Sequence, residues 1–123
     1  MLAKQWVVFG SIFGFFGVLL GAFGAHALKD SLPEKSLEIY QTAVHYQMIH
    51  ALALIVLGIW SLQNPSFDSQ LPGWAFTLGV VVFSGSLVIL AITQLKFLGA
   101  ITPVGGLAFL VGWIAFAFRA WKA

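Results

Sequence analysis

Three residues in this chain are best suited to acid–base or ligand chemistry: His26, His45 and His50. An imidazole changes charge near neutral pH and is the commonest side-chain metal ligand. Hydroxyl and amide groups join two of them in a candidate polar cluster: His26, Tyr46, Gln47, His50, Thr93, Gln94 and Thr102. Spacing limits what these groups can do. His45 and His50 are five residues apart, which at ~3.6 residues per turn puts about 140° between them around a helix. One helix face cannot offer both to a metal, and the i, i+4 pair of the zinc proteases is missing. A metal or haem would need His26 and His50 from different helices plus a further group, and no Asp or Glu lies at depth to supply it; no cofactor is expected. His50 reads instead as a neutral imidazole hydrogen-bonded to Gln94, Thr93 or a backbone carbonyl of another helix. Tyr46, one turn earlier on the same face, would join that network. Ser84 and Ser86 lie far from any His in depth, which disfavours a Ser–His nucleophile. The glycines of the N-terminal segment lack the Gly-Lys-Ser/Thr ending of a Walker loop. With no catalytic constellation, the chain is expected not to be an enzyme.

These groups sit in a chain made for lipid. Of its 123 residues 60% are hydrophobic and 8% charged, against roughly 25% charged in soluble domains. A soluble fold of this size would lack the charge to cover its surface. The net charge of +2 is too small to suggest a nucleic-acid partner. Cys is absent, which excludes disulfides and thiolate chemistry.

The charged residues punctuate four uncharged windows, Gln5–Leu28, Ile39–Phe67, Ser69–Leu95 and Phe97–Phe118. Each reaches the ~20 residues that cross a ~30 Å hydrocarbon layer. Spans are expected near 6–27, 43–62, 73–93 and 98–118 in one transmembrane domain covering 1–123. Ala25-His26-Ala27 mimics a signal-peptidase site, but the apolar run before it is too long for a signal core and reads as a true span. Ser31-Leu32-Pro33-Glu34 reads as a capping box opening a second helix at about Leu32. Asn64-Pro65 and Leu71-Pro72-Gly73 mark a turn, and the connection around Lys96 is very short. Short connections make consecutive helices antiparallel neighbours, so the fold class is an all-α, integral membrane, four-helix up-down bundle.

This topology sorts the side chains by membrane face. Both termini and every Trp (Trp6, Trp60, Trp74, Trp113, Trp121) map towards one face, here the termini side. The histidines and tyrosines map towards the opposite face, the far side. Indoles are interfacial anchors, so the termini side reads as an anchoring surface and the far side as a polar vestibule. Lys4, Arg119 and Lys122 on the termini side balance Lys29, Lys35 and Lys96 on the far side, which leaves the positive-inside rule nothing to act on. Only the acids, more numerous on the far side, favour cytoplasmic termini.

Small residues define the packing faces. Gly10, Gly14, Gly17, Gly21 and Gly24 form one narrow stripe on the first span, and Gly105, Ala108, Gly112 and Ala115 form another on the fourth. In lipid, helices associate where small side chains let backbones approach. The two stripes are expected to face each other within one chain, with a second protomer as the rival occupant. The crowd of Gly99, Thr102, Pro103, Gly105 and Gly106 fits an irregular start to the fourth span. Ser84-Gly85-Ser86, near mid-membrane, reads as close packing with hydroxyls bonded to the preceding turn.

Four stretches resemble a known family: Gly21-Ala22-Phe23-Gly24-Ala25-His26-Ala27-Leu28, Tyr46-Gln47-Met48-Ile49-His50-Ala51-Leu52-Ala53, Phe83-Ser84-Gly85-Ser86-Leu87 and Gly99-Ala100-Ile101-Thr102-Pro103-Val104-Gly105-Gly106. In this order and over nearly the whole chain they resemble the YgdD/YwdK-like small membrane proteins, a bacterial family of unknown function with eukaryotic four-span relatives. The resemblance implies four spans in a bacterial inner membrane and no assigned activity. The expectation is a non-enzymatic bundle whose far-side vestibule contacts a partner, a lipid headgroup or a small solute. Membrane lipids are the expected surroundings, with a homo-oligomer or protein partner in reserve. A small oligomeric permease would instead need a polar path past Ser84 and Ser86 to the termini side. A redox or metal protein would need His26 and His50 together.

Overall fold

The computed structural model describes residues 3–123. Four helices are long and apolar enough to cross a membrane: α1 (Lys4–Leu28), α2 (Glu34–Gln63), α3 (Gln70–Thr93) and α4 (Leu98–Lys122). Two carry a widened π-helical turn, Gly24–Leu28 at the end of α1 and Val80–Ser84 in the middle of α3. All three connections are short, and the contacts run in antiparallel register. Gly10 faces Ala51 and Gly24 faces Tyr40; Ser84 reaches Ala43 and Gln94 reaches Ser36; Gly105 faces Phe83 and Gly112 faces Phe76.

Several local expectations are corrected. Ser31 caps nothing; its hydroxyl bonds back to the Ala27 carbonyl, and α2 begins at Glu34 with Pro33 before it. Leu71-Pro72-Gly73 is the first turn of α3 rather than a loop. Proline is tolerated there because first-turn N–H groups have no helical partner. The chain turns earlier, at 64–69. The start of α4 tightens through i→i−3 bonds from Leu98, Gly99 and Ala100, and the helix then continues through Pro103.

The two glycine stripes do not meet each other. The α1 glycines pack against α2, and the α4 glycines against α3. α2 and α3 form the centre, with 44% of each apolar window buried, against 17% for α1 and 22% for α4. Pairing by sequence neighbour explains this: a short loop holds two helices side by side, and the closest approach falls to the partner already there. Gly14 and Gly21 are loosely placed, with no neighbouring atom within 4 Å of a β-carbon built at Gly14 and only Val44 near Gly21. Ala108 is half-buried between Gly105 and Gly112.

The hydrophobic core lies towards the termini side and joins Trp6, Ala53, Leu54, Leu57, Phe67 and Phe76. Trp6 is no interfacial anchor. It is fully buried, stands edge-on to Trp74, and donates its indole N–H to Ser69 Oγ at 2.8 Å. Gly73 leaves room for its ring.

Candidate functional site

His50 is a buried polar residue near the middle of the bundle. It lies within two residues of the midpoint of α2 and is 3% exposed. Its Nδ1 is 2.8 Å from the Tyr46 carbonyl, and Trp113 Nε1 is 2.9 Å from its Nε2. A carbonyl only accepts and an indole N–H only donates. The ring must therefore carry its proton on Nδ1 and offer a lone pair at Nε2, which makes it a neutral imidazole with both nitrogens satisfied. Phe109 stacks on it at 3.6 Å and 9°, and Phe76 and Tyr46 close the other sides at 5.6 and 6.3 Å.

The expected partners of His50 are corrected. Neither Gln94 nor Thr93 reaches it; they cap the far-side end of α3 more than a helix half-length away. Its side-chain partner is Trp113, an indole placed on the termini side by sequence but located close to the middle of α4. The signal was present in the chain, since Trp113 stands more than a turn inside its span, where an interfacial indole would not be.

The remaining candidates do not form one vestibule. Gln47 points the other way and donates to the Phe13 carbonyl of α1 at 3.0 Å. Thr102 Oγ1 lies 2.6 Å from Ser86 Oγ and joins α4 to α3. Thr93 bonds its own helix at Ile89 and is exposed. Gln94 donates to Ser36 Oγ at 2.7 Å and to the Ala91 carbonyl at 2.8 Å. His26 is exposed in the π-helical turn of α1, about 13 residues, or roughly 20 Å at ~1.5 Å per residue, from the level where α1 passes His50. The pair that a metal or redox site would require is thus held apart. Tyr46 does keep company with His50, through ring stacking and its carbonyl.

The buried hydroxyls tie helices together as well as bonding within them. Ser84 donates to the Ala43 carbonyl of α2 at 2.8 Å, and Tyr40 donates to the Leu20 carbonyl of α1 at 2.5 Å. Ser86 bonds both its preceding turn, at the Phe83 carbonyl, and Thr102. Among the described residues no buried side-chain nitrogen or oxygen lacks a partner. On the termini side of Ser84 and Ser86, Phe76, Phe109 and Trp113 pack around His50.

Polar and charged groups are accessible at the far-side rim, where the helices part into two grooves. One, of ≈ 340 Å³, lies between α1 and α2 and is lined by Gly24, Tyr40, Gln41 and His45 among others. The other, of ≈ 330 Å³, lies between α2 and α3. The ion pair Arg119–Asp68, at 2.8 Å, is on the termini side.

Residues 20–106 match the family described as "Protein of unknown function (DUF423)". The chain is 44% identical over 119 residues to a UPF0382 membrane protein of Staphylococcus haemolyticus, covering 97% of each. It is 43% identical over 120 residues to the UPF0382 membrane protein YwdK of Bacillus subtilis, covering 97% of this chain and 98% of that one. No solved structure matches. Four membrane-length helices and near-complete overlap with these membrane proteins lead to one conclusion: the chain belongs to the DUF423 family of membrane proteins, whose function is unknown.

Proposed function

We propose that this chain is a non-enzymatic protein of the bacterial inner membrane whose working surface is the far-side rim of the bundle. The observation that supports this is that, among the described residues, every buried side-chain nitrogen and oxygen has a partner. Groups spent on holding helices together are not poised for turnover, and a group that meets another molecule must be one the bundle leaves exposed. Gln41, Thr42 and His45 on α2, and His26 on α1, are exposed at that rim. The excess of acids there favours cytoplasmic termini.

The absence of Cys makes a clean test. Single cysteines replace Gln41 at the rim, Ile114 on the lipid-facing side of α4, and Trp121 near the C-terminus. An impermeant maleimide applied to intact cells, with the outer membrane made permeable, should label Gln41→Cys and spare Trp121→Cys. A benzophenone maleimide on Gln41→Cys should then trap a discrete adduct that Ile114→Cys does not give. The same adduct pattern at both positions would overturn the rim as working surface, and labelling of Trp121→Cys alone would reverse the orientation.

A further inference from the structure

The groove between the start of α2 and the end of α3 is graded in polarity. Lys35 and Ser36 on α2 face Gln94 and Lys96 at the end of α3, and Ile39 and Leu90 lie one helical turn deeper. The four residues from Lys35 to Ile39 span about 6 Å of depth at ~1.5 Å per residue, so ammonium and amide groups stand above an apolar floor. That is the order in which a phospholipid presents its phosphate and the beginning of its acyl chains.

Three further features bear on this groove. Neither lysine is in an ion pair; among the described residues the ion pair is Arg119–Asp68, at the other end of the bundle. Glu38 points to a different face of α2, which it lines with Gln41, Thr42 and His45. In the connection that carries Lys96, the flanking Leu95 and Phe97 are 48% and 63% exposed, apolar surface that gains by dipping into lipid. The two walls are also fixed to each other. Gln94 is the one non-glycine residue with positive φ among those described (φ 64, ψ 20), a region that residues with a β-carbon seldom adopt. Glycine would end α3 there with less strain but would lack the amide that clamps Ser36 and the Ala91 carbonyl.

We propose that this groove binds the phosphate of an anionic phospholipid, held between Lys35 and Lys96, with the first methylenes of the acyl chains over Ile39 and Leu90. The inference rests on the reading of the far-side rim as the working surface, and names a ligand class for one part of it.

The test offers the intact protein, in detergent micelles, equal amounts of phosphatidylglycerol and phosphatidylcholine, and counts retained lipids by native mass spectrometry. Phosphatidylglycerol should be retained in preference. Lys35→Gln and Lys96→Gln should each lower its retention about fivefold, and the pair about 25-fold, with phosphatidylcholine retention and helical circular dichroism unchanged. Lys29→Gln, on the same side but outside the groove, should leave the preference intact. Wild-type retention in the double variant, or an equal loss in Lys29→Gln, would overturn the proposal. So would complete displacement of the lipid by inorganic phosphate alone, which would make the ligand a soluble anion. Crosslinking at Gln41, on a different face of α2, is independent of both lysines, so a rim adduct without lipid preference would sink this inference and leave the broader reading standing.

Discussion

The α1–α2 and α3–α4 seams use the same small residue and fill it differently. On α1, Gly10 meets the Ala51 carbonyl and Ile55, Gly17 meets the flexible end of Met48, and Gly24 meets the edge of Tyr40. In return, Gly58 of α2 meets Val7 of α1 and the Ala3 carbonyl. Between α3 and α4 the exchange is also reciprocal but mostly aromatic. Gly79 of α3 receives the Phe109 ring, while Gly112 and Gly105 of α4 receive the Phe76 ring and the Phe83 backbone. Two of those rings, Phe76 and Phe109, also flank His50. The aromatic seam therefore builds the buried polar site, and the α1–α2 seam, closed by backbone at Gly10 and Gly58 and by the flexible Met48 at Gly17, attaches an outer helix. Glycine spacing marks a face for close approach; the partner's side chains decide how much freedom that face retains.

The largest of the expected effects is at Gly105. A β-carbon there runs into the Phe83 backbone, which cannot rotate away, so Gly105→Ala should cost about 3 kcal/mol or abolish the fold. Denaturation in mixed SDS micelles, followed by circular dichroism, measures this, and a wild-type midpoint would show that the α3–α4 seam yields after all.

A smaller effect is expected at the indole that links α4 to α2. Trp113→Phe leaves His50 Nε2 buried without its donor and should cost about 1 kcal/mol. Adding His50→Phe should recover part of that loss, because two apolar groups leave nothing unpaired. An additive double variant would mean that the Trp113–His50 bond contributes no coupling.

The smallest effects are expected at Gly17 and Gly14 of α1. Gly17→Ala need only displace the tip of Met48 and should cost about 1 kcal/mol or less. Gly14→Ala meets nothing and should be neutral or stabilising by up to about 1 kcal/mol, the difference in helix propensity. If Gly14→Ala proved as damaging as Gly17→Ala in the same titration, and the protein migrated as a larger species, a second copy of the chain would have to occupy that face.

Much of the fold was legible because lipid imposes a simple rule. Backbone groups in hydrocarbon must bond within their own helix, so charges at Lys29, Asp68 and Lys96 had to mark the turns. The site was less legible. That His50 faces inward followed from its polarity, as did its association with Tyr46. That it bonds Trp113 did not follow, because an indole is equally suited to an interface and to a buried donor role. The candidate polar cluster came apart for a related reason. Depth along the helices can be counted from sequence, but rotation about each helix axis cannot, and Gln47, Thr102 and Gln94 each turn towards a different neighbour.

The number of crossings, their antiparallel order and the separation of the two membrane faces follow from the order of residues, since these depend only on where charge interrupts apolar length. The tertiary structure alone decided that the small-residue stripes pair α1 with α2 and α4 with α3, that His50 is enclosed by Phe76, Phe109 and Trp113, and that Lys35 and Lys96 share a groove. Those outcomes depend on which side chains interlock when four helices of nearly equal hydrophobicity compete for the same contacts. In a bilayer apolar surface gains little by being buried, so shape complementarity and a few hydrogen bonds make the choice.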